Sequence, residues 1–188
     1  LLKQADVAMY TAKKNTLSAF IYYTKEMNER AIERLALENR VKSAYEEDVF
    51  ENYYQPIVNL TTGKTEGVEL LLRCHFNNEW ISPAAFIPVL EELRHIIELT
   101  RKATDTAIND LQQWYAEGYT GYVSINLSAL HFKTHFDLDY IEERLAEAGL
   151  PRTALRFEIT EGVLIDKSDE VLLELKRIRD AGFKLALD

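Results

Sequence analysis

The sequence predicts an α/β fold, a (β/α)₈-type barrel that is incomplete in this chain. Three observations carry that expectation. From residue 49 onward, short apolar, strand-like runs alternate with stretches of helical periodicity, the pattern of βα units around a parallel sheet. Polar residues interrupt or end those apolar runs at Glu69, Asn126, Glu158 and Asp188. Finally, 32 residues separate Asn126 from Glu158 and 30 separate Glu158 from Asp188. Each step is about one βα unit, so neighbouring parallel strands would present these side chains at equivalent heights.

The elements follow in order. Residues 1–15 read as a helix with Leu2, Ala5, Ala8, Met9 and Ala12 on one face. A β-prone aromatic run occupies 19–23. A second helix spans 25–46, with an apolar stripe of Met27, Ala31, Leu35, Val41 and Ala44. Glu26–Arg30 and Glu38–Lys42 are favourable i,i+4 pairs on its wet side, as suits a solvated connector. Strands are expected at 49–58 and 68–72, with a turn at Thr61-Thr62-Gly63-Lys64 between them. Ser82-Pro83 opens a helix, because proline suits the first helical position. A longer helix starts near Ile96 and ends at Gly118. The run 122–127 is the next strand. A helix from Leu138 to Ala148 is closed by Gly149 and Pro151. Strand 155–159, helix 169–181 and strand 183–187 complete the chain. Asp169 and Glu170 open that last helix and Arg177 and Arg179 close it, as the helix dipole prefers.

Composition narrows the function classes. Among 188 residues, 47% are hydrophobic and 28% charged, which is globular rather than disordered. A net charge of −9 disfavours nucleic-acid binding through a broad basic face. Cys74 is the only cysteine, so neither an internal disulfide nor a thiolate metal cluster can form. No apolar run is long enough to span a bilayer, and no leader pattern stands at the start, so this segment is expected to be cytoplasmic and free of membrane contact. A membrane anchor upstream of it stays compatible with the sequence.

The polar residues at strand ends carry the chemistry. Parallel strands covered on both faces usually read as uninterrupted apolar runs. An ionised carboxylate there costs several kcal/mol unless it is paired or binds a metal. Glu69, Glu158 and Asp188 with the amide of Asn126 would converge on the C-terminal face of the strands, where barrel enzymes keep their sites. Three carboxylates and an amide form an all-oxygen set suited to Mg²⁺ or Mn²⁺. Arg73, four residues after Glu69, points to the same side; it serves either a structural ion pair or a bidentate phosphate contact. Gln55 is similarly open. His131 and His135 have a zinc-pair spacing but no third ligand, and a surface loop is the expected placement. Cys74 and His75 should face opposite ways from a strand. Trp114 and the tyrosines read as core or rim residues.

Several motifs in one order then resemble a known family. Tyr54-Gln55-Pro56-Ile57, Gly67-Val68-Glu69-Leu70-Leu71-Leu72-Arg73, Phe86-Ile87-Pro88, Val123-Ser124-Ile125-Asn126-Leu127-Ser128 and Glu158-Ile159-Thr160-Glu161 resemble the EAL domain. Ala5-Asp6-Val7-Ala8-Met9-Tyr10-Thr11-Ala12-Lys13 resembles the last helix of a GGDEF domain. The resemblance implies a GGDEF remnant over 1–24, a connecting helix over 25–46 and the N-terminal part of an EAL domain over 47–188. It implies a (β/α)₈-type barrel that hydrolyses one phosphodiester of cyclic di-GMP to give linear pGpG. Glu69, Asn126, Glu158 and Asp188 match metal-ligand positions, with two Mg²⁺ or Mn²⁺ ions expected in the complete domain. Gln55 and Arg73 match ligand-contacting positions, and Glu161 matches a position that supports a loop near the metals.

Departures from the family pattern are specific. The signature reads Glu69-Leu70-Leu71 instead of Glu-Ala-Leu, and Cys74 stands where the family has Trp. Glu91-Glu92-Leu93-Arg94-His95 lacks the family's glycine, which should alter the helix start there. The family pattern continues past Asp188 with a second Asp, Phe-Gly-Thr-Gly, a catalytic Lys and a Glu ligand. The 188 residues alone are therefore expected to be inactive, with the phosphodiesterase activity residing in the parent protein. A degenerate EAL domain that binds cyclic di-GMP without cleaving it is the alternative. Homodimerisation, frequent in the family, is compatible with the sequence.

Overall fold

A computed structural model describes Met9 and residues 24–134, 136–160, 163 and 168–187. Apart from Met9, the expected helix at 1–15 and strand at 19–23 lie outside the described residues, as do Glu161 and Asp188. The chain divides into two compact units, residues 1–47 and 48–188. In the first, helix α1 spans Lys25–Glu46. Thr24 caps it, its hydroxyl accepting from the Met27 amide at 3.3 Å. Arg34–Glu38 at 2.9 Å is a favourable i,i+4 pair on its surface.

The second unit is a six-stranded mixed sheet with helices on one face. Its elements are β1 (Phe50–Val58), β2 (Thr65–Phe76), β3 (Glu79–Ile81), α2 (Pro83–Glu92), α3 (Ile96–Ala116), β4 (Tyr122–Leu127), α4 (Ala129–Lys133), α5 (Leu138–Glu147), β5 (Leu155–Ile159), α6 (Asp169–Asp180) and β6 (Lys184–Leu187). The strand order is β1-β2-β4-β5-β6, with β3 paired to the end of β2. β2, β4, β5 and β6 run parallel, joined by helical crossovers. Among the described residues β1 and β6 are edges, and the sheet does not close on itself.

The first strand pair breaks the parallel order of β2, β4, β5 and β6: β1 and β2 are antiparallel. The six residues between them are too few for a crossover, which needs a dozen or more. Asn59 builds the turn. Its side-chain oxygen accepts from the Thr61 and Thr62 amides, both at 2.9 Å, and Gly63 takes a left-handed φ of 68°. A second reversal, Asn77-Asn78, has φ of 53° and 60° at its two residues. That is the two-residue hairpin geometry whose twist matches the strands it joins, and asparagine tolerates it well.

Register separates the two faces of the sheet. Val123, Ile125, Leu127, Leu155, Phe157 and Ile159 form one face and are almost wholly buried. Against them pack Ala103, Ala107, Ile108 and Leu111 of α3 and Leu138, Ile141 and Leu145 of α5. Phe157 meets the edges of Phe136 and Phe183 at 5.2 and 5.4 Å. Cys74 is fully buried and its neighbour His75 is exposed, the opposite facing expected of adjacent strand residues. Trp114 lies at the rim of the helix-covered face, edge-on to Tyr54 at 4.9 Å. Tyr54 donates to Asp110 at 2.5 Å; burial first, and then this bond, raise its pKa well above the ordinary value. The opposite face carries Gln55, Gly67, Glu69, Arg73, Tyr122, Ser124, Asn126, Arg156 and Glu158. Gly67 is required here, because a Cβ would come within 2.6 Å of the Tyr122 ring.

The missing glycine before α3 has a structural consequence. Arg94 adopts a φ of 60°, and α3 begins without a side-chain cap. A left-handed residue with a Cβ costs about 1–2 kcal/mol, part of which the greater chain entropy of glycine returns. Arg94→Gly should therefore stabilise the protein by about 0.5–1 kcal/mol. That corresponds to a rise of about 1–4 °C in melting temperature, measurable by differential scanning calorimetry.

Candidate functional site

Three adjacent parallel strands bring the sequence-predicted polar residues together. In register, Glu69 of β2 lies beside Ser124 of β4, and Asn126 of β4 lies beside Glu158 of β5. Residues two apart on a strand share a face, so all four side chains project from the face without helices. They cross between strands. The Asn126 amide donates to Glu69 Oε1 at 2.8 Å, while the Ser124 hydroxyl donates to Glu158 Oε1 at 2.6 Å. Each carboxylate is thus fixed at one oxygen by a neutral donor from β4. Glu69 and Glu158 are half-buried, Asn126 is exposed and Ser124 is fully buried.

Gln55 stands directly across from Glu69 in the β1–β2 pairing and is exposed. Arg73 lies four residues along β2 on the same face. One of its guanidinium nitrogens donates to the Leu72 carbonyl at 3.0 Å, and its Cζ sits 5.8 Å from the Tyr53 ring. No described carboxylate forms an ion pair with it. Arg73, Glu91, Thr100, Asn126, Ser128 and Thr160 supply the polar lining of a cavity of about 230 Å³ at the C-terminal ends of the strands. Glu161 and Asp188, the other predicted site residues, lie outside the described residues.

Two functional contacts escaped the sequence reading. Ser124 was legible: it is a polar residue inside an apolar strand, two positions before Asn126, and so necessarily on the same face. Glu91 was not, since its partner is 37 residues away. It accepts from the Ser128 hydroxyl at 2.5 Å, tying the end of α2 to the turn that follows β4. Ser128 also caps α4, accepting from the Leu130 amide at 3.3 Å.

The donor set suits a hard cation. Glu69, Asn126 and Glu158 offer carboxylate and amide oxygens and no sulfur or imidazole, the preference of Mg²⁺ and Mn²⁺. Among the described residues no three His, Cys, Asp or Glu side chains cluster as a metal site, so the described set is two carboxylates and one amide.

His131 does not join this site, nor does it lie in a surface loop. It is 3% exposed, within α4, because the helix turns its ring inward toward Phe136. Its Nδ1 donates to the Ser128 carbonyl at 3.0 Å, which leaves Nε2 as a buried acceptor with no described partner. It helps line a separate cavity of about 490 Å³ between α3, α4 and α5. His135 lies outside the described residues.

Fold and site together define an α/β protein with helices sealing one sheet face and an oxygen-rich cluster at the strand ends of the other. The chain belongs to the EAL domain family, whose model matches residues 38–188. It is 30% identical over 189 residues to the signalling protein YkoW of Bacillus subtilis, covering all of this chain and 24% of that protein. It is also 30% identical over 190 residues to MucR of Pseudomonas aeruginosa, a bifunctional diguanylate cyclase/cyclic di-GMP phosphodiesterase, covering all of this chain and 28% of MucR. The chain thus spans about a quarter of the length of these curated relatives. Among solved structures, the PaMucR phosphodiesterase–c-di-GMP complex superposes with a TM-score of 0.74 at 27% identity, over 81% of this chain and 63% of that one. The EAL enzyme Bd1971 bound to cAMP and cyclic di-GMP gives a TM-score of 0.75 at 26% identity, over 85% and 45%. Among the described residues, no helix is long and apolar enough to cross a membrane.

Burial holds the His131 pKa below 6.5, opposed by its bond to the Ser128 carbonyl. The unfolded chain therefore binds a proton that the folded chain resists, and stability should fall as pH drops below about 6.5. His131→Gln removes this titration. Its melting temperature should fall less between pH 7 and pH 5 than that of the wild type, as followed by circular dichroism.

Proposed function

We propose that the protein carrying this chain is a metal-dependent cyclic di-GMP phosphodiesterase that opens its substrate to linear pGpG. The observation that supports this most is the crossed pair of hydrogen bonds that holds Glu69, Asn126 and Glu158 together on neighbouring strands, with Arg73 and Gln55 on the same face. Family membership and cyclic di-GMP in the MucR and Bd1971 complexes point to the substrate.

In this reading Glu69, Asn126 and Glu158 hold Mg²⁺ or Mn²⁺, and Asp188 adds a carboxylate by its match to the family pattern. A divalent cation held there would supply a water of lowered pKa and neutralise phosphate charge. The chain's own residues do the rest. Ser124 and Asn126 each occupy one oxygen of a glutamate, which fixes its rotamer before substrate arrives. Such second-layer bonds commonly contribute 10–100-fold in metal affinity or activity. Arg73 supplies donors to a non-bridging phosphate oxygen, and Gln55 an amide beside Glu69. Glu161 supports a loop near the cation. The base that completes the reaction is not among these residues.

The same reading places β1, β2, β4, β5 and β6 in a (β/α)₈-type barrel that is incomplete in this chain. It assigns residues 1–24 to the end of a GGDEF domain, 25–46 to a connecting helix and 47–188 to the EAL domain.

The protein incubated with cyclic di-GMP and Mg²⁺ should release pGpG, as detected by chromatography. Glu69→Gln and Glu158→Gln should each lower the rate by roughly 100-fold or more with little change in melting temperature. Tight binding of cyclic di-GMP without any pGpG would instead make the domain a receptor. Neither binding nor product would refute both.

A further inference from the structure

An aromatic cluster stands beside Arg73 on the open face of the sheet, and the chemistry so far does not use it. Register places Tyr53 opposite Leu71, and Trp80 opposite His75. Leu71, Arg73 and His75 alternate along β2 on the side of Glu69, so Tyr53 and Trp80 share that side. The Trp80 ring lies 4.8 Å from His75 and meets the Tyr53 ring edge-on at 6.1 Å, and Arg73 Cζ is 5.8 Å from Tyr53.

Trp80 nevertheless remains 59% exposed and Tyr53 45%. Neither is loosely held. Trp80 sits in β3, two residues after a two-residue turn whose left-handed asparagines fix the hairpin. A solvent-facing indole in one ring cluster with the tyrosine that Arg73 approaches matches a ligand that joins a flat ring to a phosphate. Two rings are too small a patch for a stable protein interface, which needs about 1,000 Å² or more.

We propose that Trp80, with Tyr53 at its edge, is the stacking platform for one purine base of the cyclic dinucleotide whose phosphate Arg73 contacts. This rests on the function proposed above and adds a specificity determinant to it. A two-ring base covers more of the indole than a pyrimidine does, so the platform favours purines through buried apolar area. It needs no hydrogen-bond readout, because every base presents a π-face.

Calorimetric titration with cyclic di-GMP in EDTA, which withholds the metal, reads binding apart from turnover. Trp80→Ala should weaken binding roughly tenfold, and Trp80→Phe should recover most of it. Cyclic di-GMP should also quench the Trp80 fluorescence, obtained as the difference between wild type and W80F. If W80A and W80F bind as the wild type does while Arg73→Ala weakens binding, the stacking role is wrong and the proposed function stands. If W80A keeps its affinity and changes the oligomeric state, the platform is a protein contact instead. If the wild type binds no cyclic di-GMP, the functional reading fails and this inference fails with it.

Discussion

The site depends on a constraint imposed by β4. Its alternate residues Ser124 and Asn126 interrupt an apolar and aromatic strand, and each donates to a glutamate on a different neighbour. Ser124 is completely buried, so its hydroxyl must find an acceptor or cost free energy. Glu158 provides one. The bond to an ionised acceptor is short and strong, and it fixes a carboxylate that would otherwise sample several rotamers. Asn126 does the same for Glu69. Two hydrogen bonds from one strand therefore set the positions of both described acidic groups.

That arrangement is possible because the opposite face of the sheet is sealed. Val123, Ile125 and Leu127 interleave with Ser124 and Asn126 and bury themselves against α3 and α5. A slip of one residue in the β4–β5 register would turn the apolar set outward and the polar set into the helices. Packing on one face thereby enforces chemistry on the other. The turn after β4 extends this control, since Ser128 caps α4 and also holds Glu91 at the end of α2. The same turn's carbonyl orients His131, so the structure around β4 links the strand ends to the helix layer.

Much of this was legible in the sequence, for identifiable reasons. Strand–helix alternation and the 32-residue step placed Asn126 beside Glu158, and the structure pairs them directly. Helix limits followed from proline, glycine and terminal charges, because those signals act locally. The turn expected at residues 61–64 lies where β1 leads into β2, and the shortness of that connection makes the pair antiparallel. His131 was misplaced because polarity of sequence neighbours says little about which way a five-residue helix turns a ring. Glu91 could not have been anticipated, as its partner depends on how the end of α2 meets the turn after β4 in space. Period-two reasoning applied to residue 124 would have found Ser124.

The central proposal is that the oxygens of Glu69, Asn126 and Glu158 on β2, β4 and β5 form one divalent-cation site. Titrating the protein with Mn²⁺ and following the free-ion signal by electron paramagnetic resonance tests it most directly. The account predicts saturable Mn²⁺ binding that Glu158→Gln weakens strongly and His131→Gln leaves unchanged. Binding that is equally tight in wild type and Glu158→Gln would contradict it.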